Sequence, residues 1–465
     1  SGYGFNRINV RSNLDFQLTK TTTLKMNVAG SSGQKQSPWN NSINSEWQIA
    51  QQWAGVYNIA PDVFLPKYSD GSWGYYPAIS NVSNSAENLA VSGTMKTTTT
   101  RINTDFTLEQ DLSFITPGLK VNGMISWDNV FVENQRGISD LYHDAQHKWI
   151  DPETGIVTYK TDYDNNNNFD YMQGVLWTIN GGSVNNNMTQ RNLNYQAQLN
   201  WGRSFGLHNI TAMGLFARQE YAGGSEVPHY REDWVFRTTY NYADRYFIEY
   251  NGAYNGSEKF SKDNRFAFFN SGAIGWMVSE EKFMKSIKFL DMLKIRASYG
   301  EIGDDNVGRR WLYMTQWAYG GNSSLDTNHG TSPYTWYREA TVGNENVKWE
   351  TVKKTNIGVD YAFLHGMLAG SVDFFHDKRV NILVDGSTRS VPSYFGTTPA
   401  TANLGEVKTH GYELELRFNK NLNKWTRLWA NLNMTHAVNK IIVKDDAALL
   451  PAYQKKAGYS IGQYT

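Results

Sequence analysis

Polar and apolar residues alternate with a period of two along the segment 192–201, which reads N-L-N-Y-Q-A-Q-L-N-W. Successive side chains of an extended strand point to opposite faces, so the leucines, Tyr195 and Trp201 share one face and the amides share the other. A water-soluble sandwich would turn the apolar face into its core. A membrane barrel would turn that face toward lipid and the amide face toward a hydrated lumen.

The same alternation recurs along the chain, for example over 101–109, 412–419 and 430–439. It predicts about fourteen strands, several of them long enough for the roughly 9–11 residues that cross a bilayer at a tilt. The predicted strands span approximately 5–19, 23–32, 94–110, 118–133, 188–201, 207–220, 230–241, 246–256, 265–278, 291–301, 350–363, 367–383, 405–419 and 425–441.

The connections between the predicted strands alternate between short and long. Short turns follow every second strand, with 279–290 as the longest of them, and the other connections include segments of 40 residues and more. Short turns at one end and long loops at the other are typical of a transmembrane β-barrel. The long external loops are expected at about 33–93, 134–187, 302–349, 384–404 and 442–465.

Aromatic residues lie beside the predicted short turns, as in the interfacial belts of membrane proteins. They are Phe114, Trp201, Phe205, Tyr242, Tyr246, Phe247, Phe363 and Trp425. In a soluble barrel the same residues would cap one end of the core. Among 465 residues the chain has 16 Trp and 28 Tyr, which suits the membrane interpretation.

Charge and motif content exclude several classes of function. The formal net charge is +0, so the chain lacks the excess of positive charge that is typical of a nucleic-acid-binding protein. It has no cysteine for a disulfide, a thiol nucleophile or a thiolate metal site. We find no nucleophile elbow, zinc-protease helix, Walker loop or dinucleotide fingerprint, and we therefore expect neither an enzyme nor a bound cofactor.

Two segments carry weak metal-site patterns. His143 and His147 stand four residues apart, but no third ligand is evident nearby. The run 162–173 begins like a calcium loop, yet its sixth residue is Asn167 rather than glycine and its twelfth is Gln173 rather than glutamate. We interpret both segments as loops and predict no metal site.

Aromatic rings in the long loops are the better functional candidates, because flat rings beside amides and carboxylates can stack on sugars or hold peptide side chains. Packing of one loop against another is the competing role for each ring. The predicted ligand contacts are Trp39, Trp73, Tyr75, Trp149, Trp177, Trp311 and Trp317.

Several motifs resemble the SusC/RagA-like family of outer-membrane TonB-dependent transporters. They are Y-N-Y-A-D-R-Y-F-I-E-Y-N-G-A-Y-N-G at 240–256, S-E-K-F at 257–260, D-N-R-F-A-F-F-N-S-G-A-I-G-W at 263–276, L-K-I-R-A-S-Y-G-E-I-G-D at 293–304, N-E-N-V-K-W-E at 344–350, T-N-I-G-V-D-Y at 355–361 and G-E-V-K-T-H-G-Y-E-L-E-L at 405–416. The resemblance extends over nearly the whole chain.

The resemblance implies an all-β transmembrane antiparallel barrel in the outer membrane, of which this chain would supply about fourteen of twenty-two strands. It implies a plug domain and closing strands that this sequence lacks, so we expect a barrel portion that is incomplete at both ends. It also implies a SusD-like surface lipoprotein as a lid, TonB as the energy source through the missing plug region, and a glycan or peptide ligand. The whole transporter would then be a possible homodimer of transporter–lipoprotein pairs.

Three alternatives remain open on the sequence. A siderophore-type TonB-dependent transporter would share the fold. A soluble β-sandwich carbohydrate-binding protein would pack two sheets around a dry core. An outer-membrane enzyme would need a nucleophile and base, for which His436 is the best single candidate.

Overall fold

A computed structural model describes the greater part of the chain. The described residues are 3–39, 46–58, 60, 62–78, 84–90, 92–139, 145–159, 171–172, 178–322 and 335–463. No side chain is described at Glu46, Asn58, 135–139, 145–146, 171–172, 178, 180, 322 and 393.

Strands make up most of the described chain, with two short α-helices between them. In chain order the elements are β1 (Gly4–Gln17), β2 (Thr22–Trp39), α1 (Glu46–Asn58), β3 (Trp73–Gly74), α2 (Ser85–Ala90), β4 (Gly93–Asp111), β5 (Leu119–Ser139), β6 (Ala145–Ile150), β7 (Val157–Tyr159), β8 (Tyr171–Met172), β9 (Thr178–Val184), β10 (Gln190–Phe205), β11 (His208–Gly223), β12 (His229–Tyr242), β13 (Tyr246–Ser257), β14 (Phe266–Met277), β15 (Leu290–Asp304), β16 (Gln316–Asn322), β17 (Thr335–Thr341), β18 (Glu350–Phe363), β19 (Leu368–Val384), β20 (Ala402–Asn421) and β21 (Arg427–Val443). Single turns of 3-10 helix lie at Val278–Glu280, Gly386–Thr388, Ser393–Phe395 and Ala452–Gln454.

One large antiparallel sheet contains all fourteen predicted strands. Its order is β1-β2-β4-β5-β10-β11-β12-β13-β14-β15-β18-β19-β20-β21, and β9 pairs with the loop-side half of β5. Strands that neighbour each other along the chain therefore neighbour each other in the sheet, as in a simple up-and-down meander. The predicted all-β fold is confirmed, and its strand bounds agree to within a few residues except at the ends of β2 and β5, where β5 runs to Ser139 rather than 133.

Strand β2 runs to Trp39, seven residues beyond the predicted end at 32, so the first long connection begins at 40 rather than 33. The pairing of β2 with β4 continues without a shift from Thr22↔Gln110 to Trp39↔Gly93. The added part of β2 reads G-Q-K-Q-S-P-W at 33–39 and carries no apolar alternation. Backbone hydrogen bonds to β4 extend this strand. Such bonds to a distant segment cannot be predicted from the side-chain pattern of β2 alone.

The two faces of the sheet differ in chemistry. We call the side that carries Leu199, Phe106 and Phe374 the apolar face and the opposite side the polar face. Leu199 is 47% exposed and Phe374 is 60% exposed. Cross-strand partners continue the apolar face, with Phe106 opposite Ile125 and Leu193 opposite Trp127. The apolar side chains therefore form an exposed face of a single sheet, and the two packed sheets of a soluble sandwich are absent from the described chain.

The sheet has a turn end and a loop end. At the turn end the hairpin between β12 and β13 has Ala243 and Asp244 in the left-handed region, at φ 53° and 55°. Asn241 Oδ1 accepts a hydrogen bond from the Asp244 backbone N–H at 2.9 Å and stabilises this turn. The rings of Tyr242 and Tyr246 stack beside it with centroids 6.4 Å apart. The segments 40–92, 305–349 and 385–401 connect strands at the loop end.

Among the described residues, no helix has the length and apolar character needed to cross a membrane.

A matched pair of substitutions in β10 tests the assignment of the two faces. Leu199→Arg places a charge on the apolar face, and we expect it to cost about 2–4 kcal/mol if that face contacts lipid near the bilayer centre. Gln198→Arg places the same charge on the polar face and should cost little. Heat-modifiable gel migration of each variant in outer membranes measures the folded fraction. Equal losses for the two variants would contradict the assignment.

Candidate functional site

A small apolar cluster at the loop end holds two connections against the sheet. We call it the loop core; it consists of Phe260, Phe269, Leu312, Val347 and Trp349. Trp349 lies at its centre, with ring centroids 5.2 Å from Phe260 and 5.6 Å from Phe269. Its indole N–H donates to the Arg265 backbone carbonyl at 3.2 Å. Because Phe260 and Val347 are fully buried, the loop core fixes the bases of segments 258–265 and 305–349.

Arg310 joins a further connection to this region. Its guanidinium pairs with Glu258 at 3.1 Å and donates to the backbone carbonyls of Val227 and Pro228. The side chains of Arg310 and Glu258 are 16% and 14% exposed. The same guanidinium lies 4.6 Å from the ring centroid of Trp311. Trp311, a predicted ligand contact, is therefore half-buried and held in place by Arg310.

Trp317 lies in an open cleft of about 760 Å³ between the hairpin β16–β17 and the segment 396–401. Its side chain is 62% exposed, and Tyr337 across the hairpin is 65% exposed. Arg338 and Glu339 also line the cleft. The cleft combines exposed rings with charged groups, which is a combination that binds sugars or peptide side chains.

The other loop aromatics belong to a separate lobe formed by segments 46–90 and 145–159. Trp73 is 8% exposed, and the ammonium group of Lys67 covers its ring at 4.6 Å. Trp149 donates its indole N–H to the Val63 carbonyl at 2.9 Å and meets Tyr76 edge to face. The half-buried Tyr75 donates its backbone N–H to the Lys148 carbonyl at 3.4 Å. The rings of Trp73 and Trp149 therefore pack within the lobe.

Trp39 is 4% exposed at the end of β2, and its indole N–H has no acceptor among the described residues. Trp177 lies outside the described residues. The seven predicted contacts are thus spread over several places. Trp73, Tyr75 and Trp149 lie in the lobe, Trp39 at the end of β2, Trp311 beside Arg310 and Trp317 in the open cleft, while Trp177 has no described position. Their role in ligand binding stays a prediction.

The weak metal-site patterns end in ordinary contacts where they are described. His147 is buried beside α2, and its Nε2 lies 2.8 Å from both carboxylate oxygens of Glu87. His143 and the calcium-like run 162–168 lie outside the described residues. The residues that are described contain no group of three or more side chains able to hold a metal ion.

The polar face contains an ion-pair network that sequence reasoning did not find. Arg296 on β15 pairs with Asp360 on β18 at 3.2 Å and with Asp373 on β19 at 2.7 Å. Gly358 lies between them, and a β-carbon there would stand 2.5 Å from Asp373 Oδ1 and 2.7 Å from Arg296 Cζ. Only glycine leaves the space for this cross-strand network. Its partners lie about 60 to 80 residues apart in sequence, so no local spacing reveals them.

A single sheet with an exposed apolar face, an ion-paired polar face and loops gathered at one end defines a membrane β-barrel with a hydrated interior. Residues 1–462 match the family described as TonB dependent receptor-like, beta-barrel. The chain belongs to this family. It is thereby an outer-membrane β-barrel protein, as the motif resemblance predicted.

Named relatives agree with this assignment. The chain is 32% identical over 183 residues to the TonB-dependent receptor SusC of Bacteroides thetaiotaomicron, covering 39% of this chain and 18% of SusC. It is 28% identical over 279 residues to TonB-dependent receptor P3 of Formosa agariphila, covering 53% of this chain and 27% of that protein. These matches span about a quarter or less of the relatives' own length.

The fold is similar to that of the RagAB peptide importer in its closed-closed state. The TM-score is 0.64 at 14% identity, and the alignment covers 98% of this chain and 49% of the RagAB chain. At this identity the likeness shows the fold alone.

Removal of one ring tests the loop core. Phe260→Ala should cost about 3–5 kcal/mol, because it leaves a cavity in a fully buried site. We expect faster amide hydrogen exchange in segments 258–265 and 305–315, and unchanged exchange in the turn-end hairpins. Phe283→Ala removes a ring that is 65% exposed and serves as the control. Unchanged exchange in Phe260→Ala would show that the loops are held by other contacts.

A carboxylate in the packed lobe gives a pH-dependent test. Lys148, and then Ser72, hold the pKa of Asp70 well below its usual range. A carboxylate with a lowered pKa stabilises the fold above its ordinary value of about 3.9, and this contribution is lost as pH falls through the lowered pKa. Asp70→Asn should therefore speed proteolysis within 62–78 at pH 7.

The difference between the wild type and Asp70→Asn should shrink as pH falls below about 4. Proteinase K at pH 7 and pepsin at low pH measure the two regimes. Glu153→Gln, an exposed carboxylate in the same lobe, is the control. A constant difference at every pH would refute the role assigned to Asp70.

Proposed function

We propose that this chain is the barrel portion of an outer-membrane, TonB-dependent importer of glycan or peptide oligomers that works with a SusD-like surface lipoprotein. The observation that carries the proposal is the 32% identity to SusC within a chain that matches the TonB-dependent barrel family over residues 1–462. The fold is also similar to that of the RagAB peptide importer, and we therefore include peptides as well as glycans among the proposed ligands.

In this proposal the apolar face contacts lipid and the polar face surrounds a hydrated path for the ligand. The loop end faces the outside of the cell, where the cleft around Trp317 and Tyr337 makes first contact with the ligand. The other predicted contacts stay part of the proposal: Trp39, Trp73, Tyr75, Trp149, Trp177 and Trp311. Of these, Trp73 and Trp149 would act mainly by holding the lobe in shape.

The surface lipoprotein would cover the loop end and deliver ligand to the lumen. TonB would supply energy through a plug region that belongs to the longer transporter, and two transporter–lipoprotein pairs would form the complete assembly. We infer no covalent chemistry. Import requires none, and His436 lies on the apolar face with its ring 5.4 Å from that of Tyr412. In the described part of the chain it makes no hydrogen bond to a carboxylate or a hydroxyl group.

Growth of a deletion strain distinguishes the ligand classes. Strains that lack the transporter, its lipoprotein or TonB should all lose growth on the same glycan or peptide as sole nutrient source. Loss of growth on iron chelates alone would replace this proposal with the siderophore alternative. Growth equal to that of the wild type on every nutrient would remove the import function.

Trp317→Ala in the full-length transporter tests the cleft. Loss of one stacking ring should weaken ligand binding about tenfold without reducing the amount of folded protein in the membrane. Trp425→Ala removes a ring that is 90% exposed at the turn end and should leave affinity unchanged. Titration calorimetry with the nutrient found in the growth test measures both. Equal affinity of the two variants would exclude Trp317 as a ligand contact.

A further inference from the structure

Two arginines lie on the polar face of the first strands, in the half nearer the loop end. Arg7 lies on β1 and Arg101 on β4. The cross-strand register places Arg7 opposite Gly33, which faces Thr99, and places Arg101 opposite Ser31. Arginines from β1 and β4 therefore flank a floor of small residues on β2.

This arrangement forms a cavity of about 570 Å³, which we call the arginine cleft. Its floor is open because Gly33 has no side chain; a β-carbon there would stand 3.6 Å from the Phe5 ring and 3.8 Å from Arg7 Cγ. Strands β1 and β4 lie two strand spacings apart, about 10 Å. Both guanidinium groups can reach a ligand group that sits over β2.

The arginines of the cleft differ from other cations of the polar face in their pairing. Arg296 pairs with Asp373 at 2.7 Å, Arg237 with Glu249 at 2.9 Å and, farther down β2, Lys25 with Glu109 at 2.7 Å. Arg7 donates to the neutral side chain of Asn9 at 2.7 Å. Neither Arg7 nor Arg101 forms an ion pair with any residue in the described ranges. The guanidinium groups are exposed and available to an anion.

We propose that the arginine cleft binds the carboxylate or sulfate groups of an acidic oligosaccharide on its way through the barrel. The inference rests on the proposed import function and adds the charge class of the cargo. Guanidinium groups bind carboxylate and sulfate oxygens through paired, charge-assisted hydrogen bonds. Two such groups on either side of one floor would select anionic oligomers over neutral ones.

The remaining lining favours a glycan over a peptide. Ser31, Thr97 and Thr99 supply hydroxyl groups to the cleft, and Asn185 supplies an amide. These groups can exchange hydrogen bonds with sugar hydroxyls. No aspartate or glutamate lines the cleft. A peptide brings an ammonium terminus as well as carboxylates, and the cleft offers that terminus no counter-charge.

Titration calorimetry on the purified full-length transporter tests the proposal. The probes are a tetrasaccharide of uronic acids, its carboxyl-reduced neutral form and an acidic tetrapeptide. We expect the uronate to bind at least tenfold more tightly than either of the others. Arg7→Gln and Arg101→Gln should each weaken uronate binding by about tenfold and leave the neutral form within twofold. Arg101→Lys should retain part of the preference.

Arg417→Gln is the matched control, because it removes the same charge from the polar face near the turn end, where Arg417 pairs with Glu415 at 2.6 Å. Heat-modifiable gel migration of every variant shows that the barrel has folded. Unchanged uronate affinity in Arg7→Gln and Arg101→Gln would overturn the proposal, including the case in which another segment of the transporter neutralises these arginines. Tighter binding of the peptide would overturn the glycan assignment.

The two proposals can fail separately. If the neutral tetrasaccharide binds as tightly as the uronate, the arginine cleft has no charge selectivity, while import of oligomers still stands. If growth tests show no oligomer import at all, the function proposed for the transporter fails, whatever the arginines bind in solution.

Discussion

The backbone hydrogen bonds between neighbouring antiparallel strands are the constraint on which the structure depends. A hydrocarbon environment offers no water to unpaired N–H and C=O groups, so each strand that crosses it must bond to the strands beside it. Because each of the fourteen predicted strands pairs with the predicted strands before and after it in the chain, antiparallel neighbours joined in chain order are enough to pair these backbone groups. Once the strands are paired, successive side chains point to opposite faces of the sheet. A shift of the strand register by one residue would therefore expose the Arg296 network to lipid.

Ion pairs on the polar face follow from the same ladder. Register places Lys294 opposite Asp360 and Gly358 opposite Asp373, and Arg296 reaches both carboxylates across the gap that Gly358 leaves. A hydrated lumen lowers the desolvation cost of these charges relative to a dry core. The three charged partners lie on β15, β18 and β19, and their ion pairs still fix the spacing of these strands. The polar face is therefore an ordered surface, and the strand register determines where its charges lie.

The sequence predicted correctly those features that depend on the alternation between residues i and i+2. Alternation located fourteen strands of the sheet but not β9, and the length of the connections separated the two ends. It was wrong at the ends of β2 and β5, where pairing with β4 and β9 extends the strands through residues without apolar alternation. It also missed the loop core, because Phe260 comes from one connection and Leu312 and Val347 from another, and the two meet only in three dimensions. Loop aromatics were recognisable, but their burial depends on those long-range contacts.

The loop core has a consequence for how such a barrel diversifies. Phe260 and Trp349 fix the base of the connection that carries β16 and β17, while Trp317 and Tyr337 on those two strands stay exposed. Substitutions at Trp317 or Tyr337 change the exposed surface of this hairpin without altering the residues that hold its base. Selection can therefore change the side chains that meet a new nutrient, and the membrane-spanning strands need not change with them.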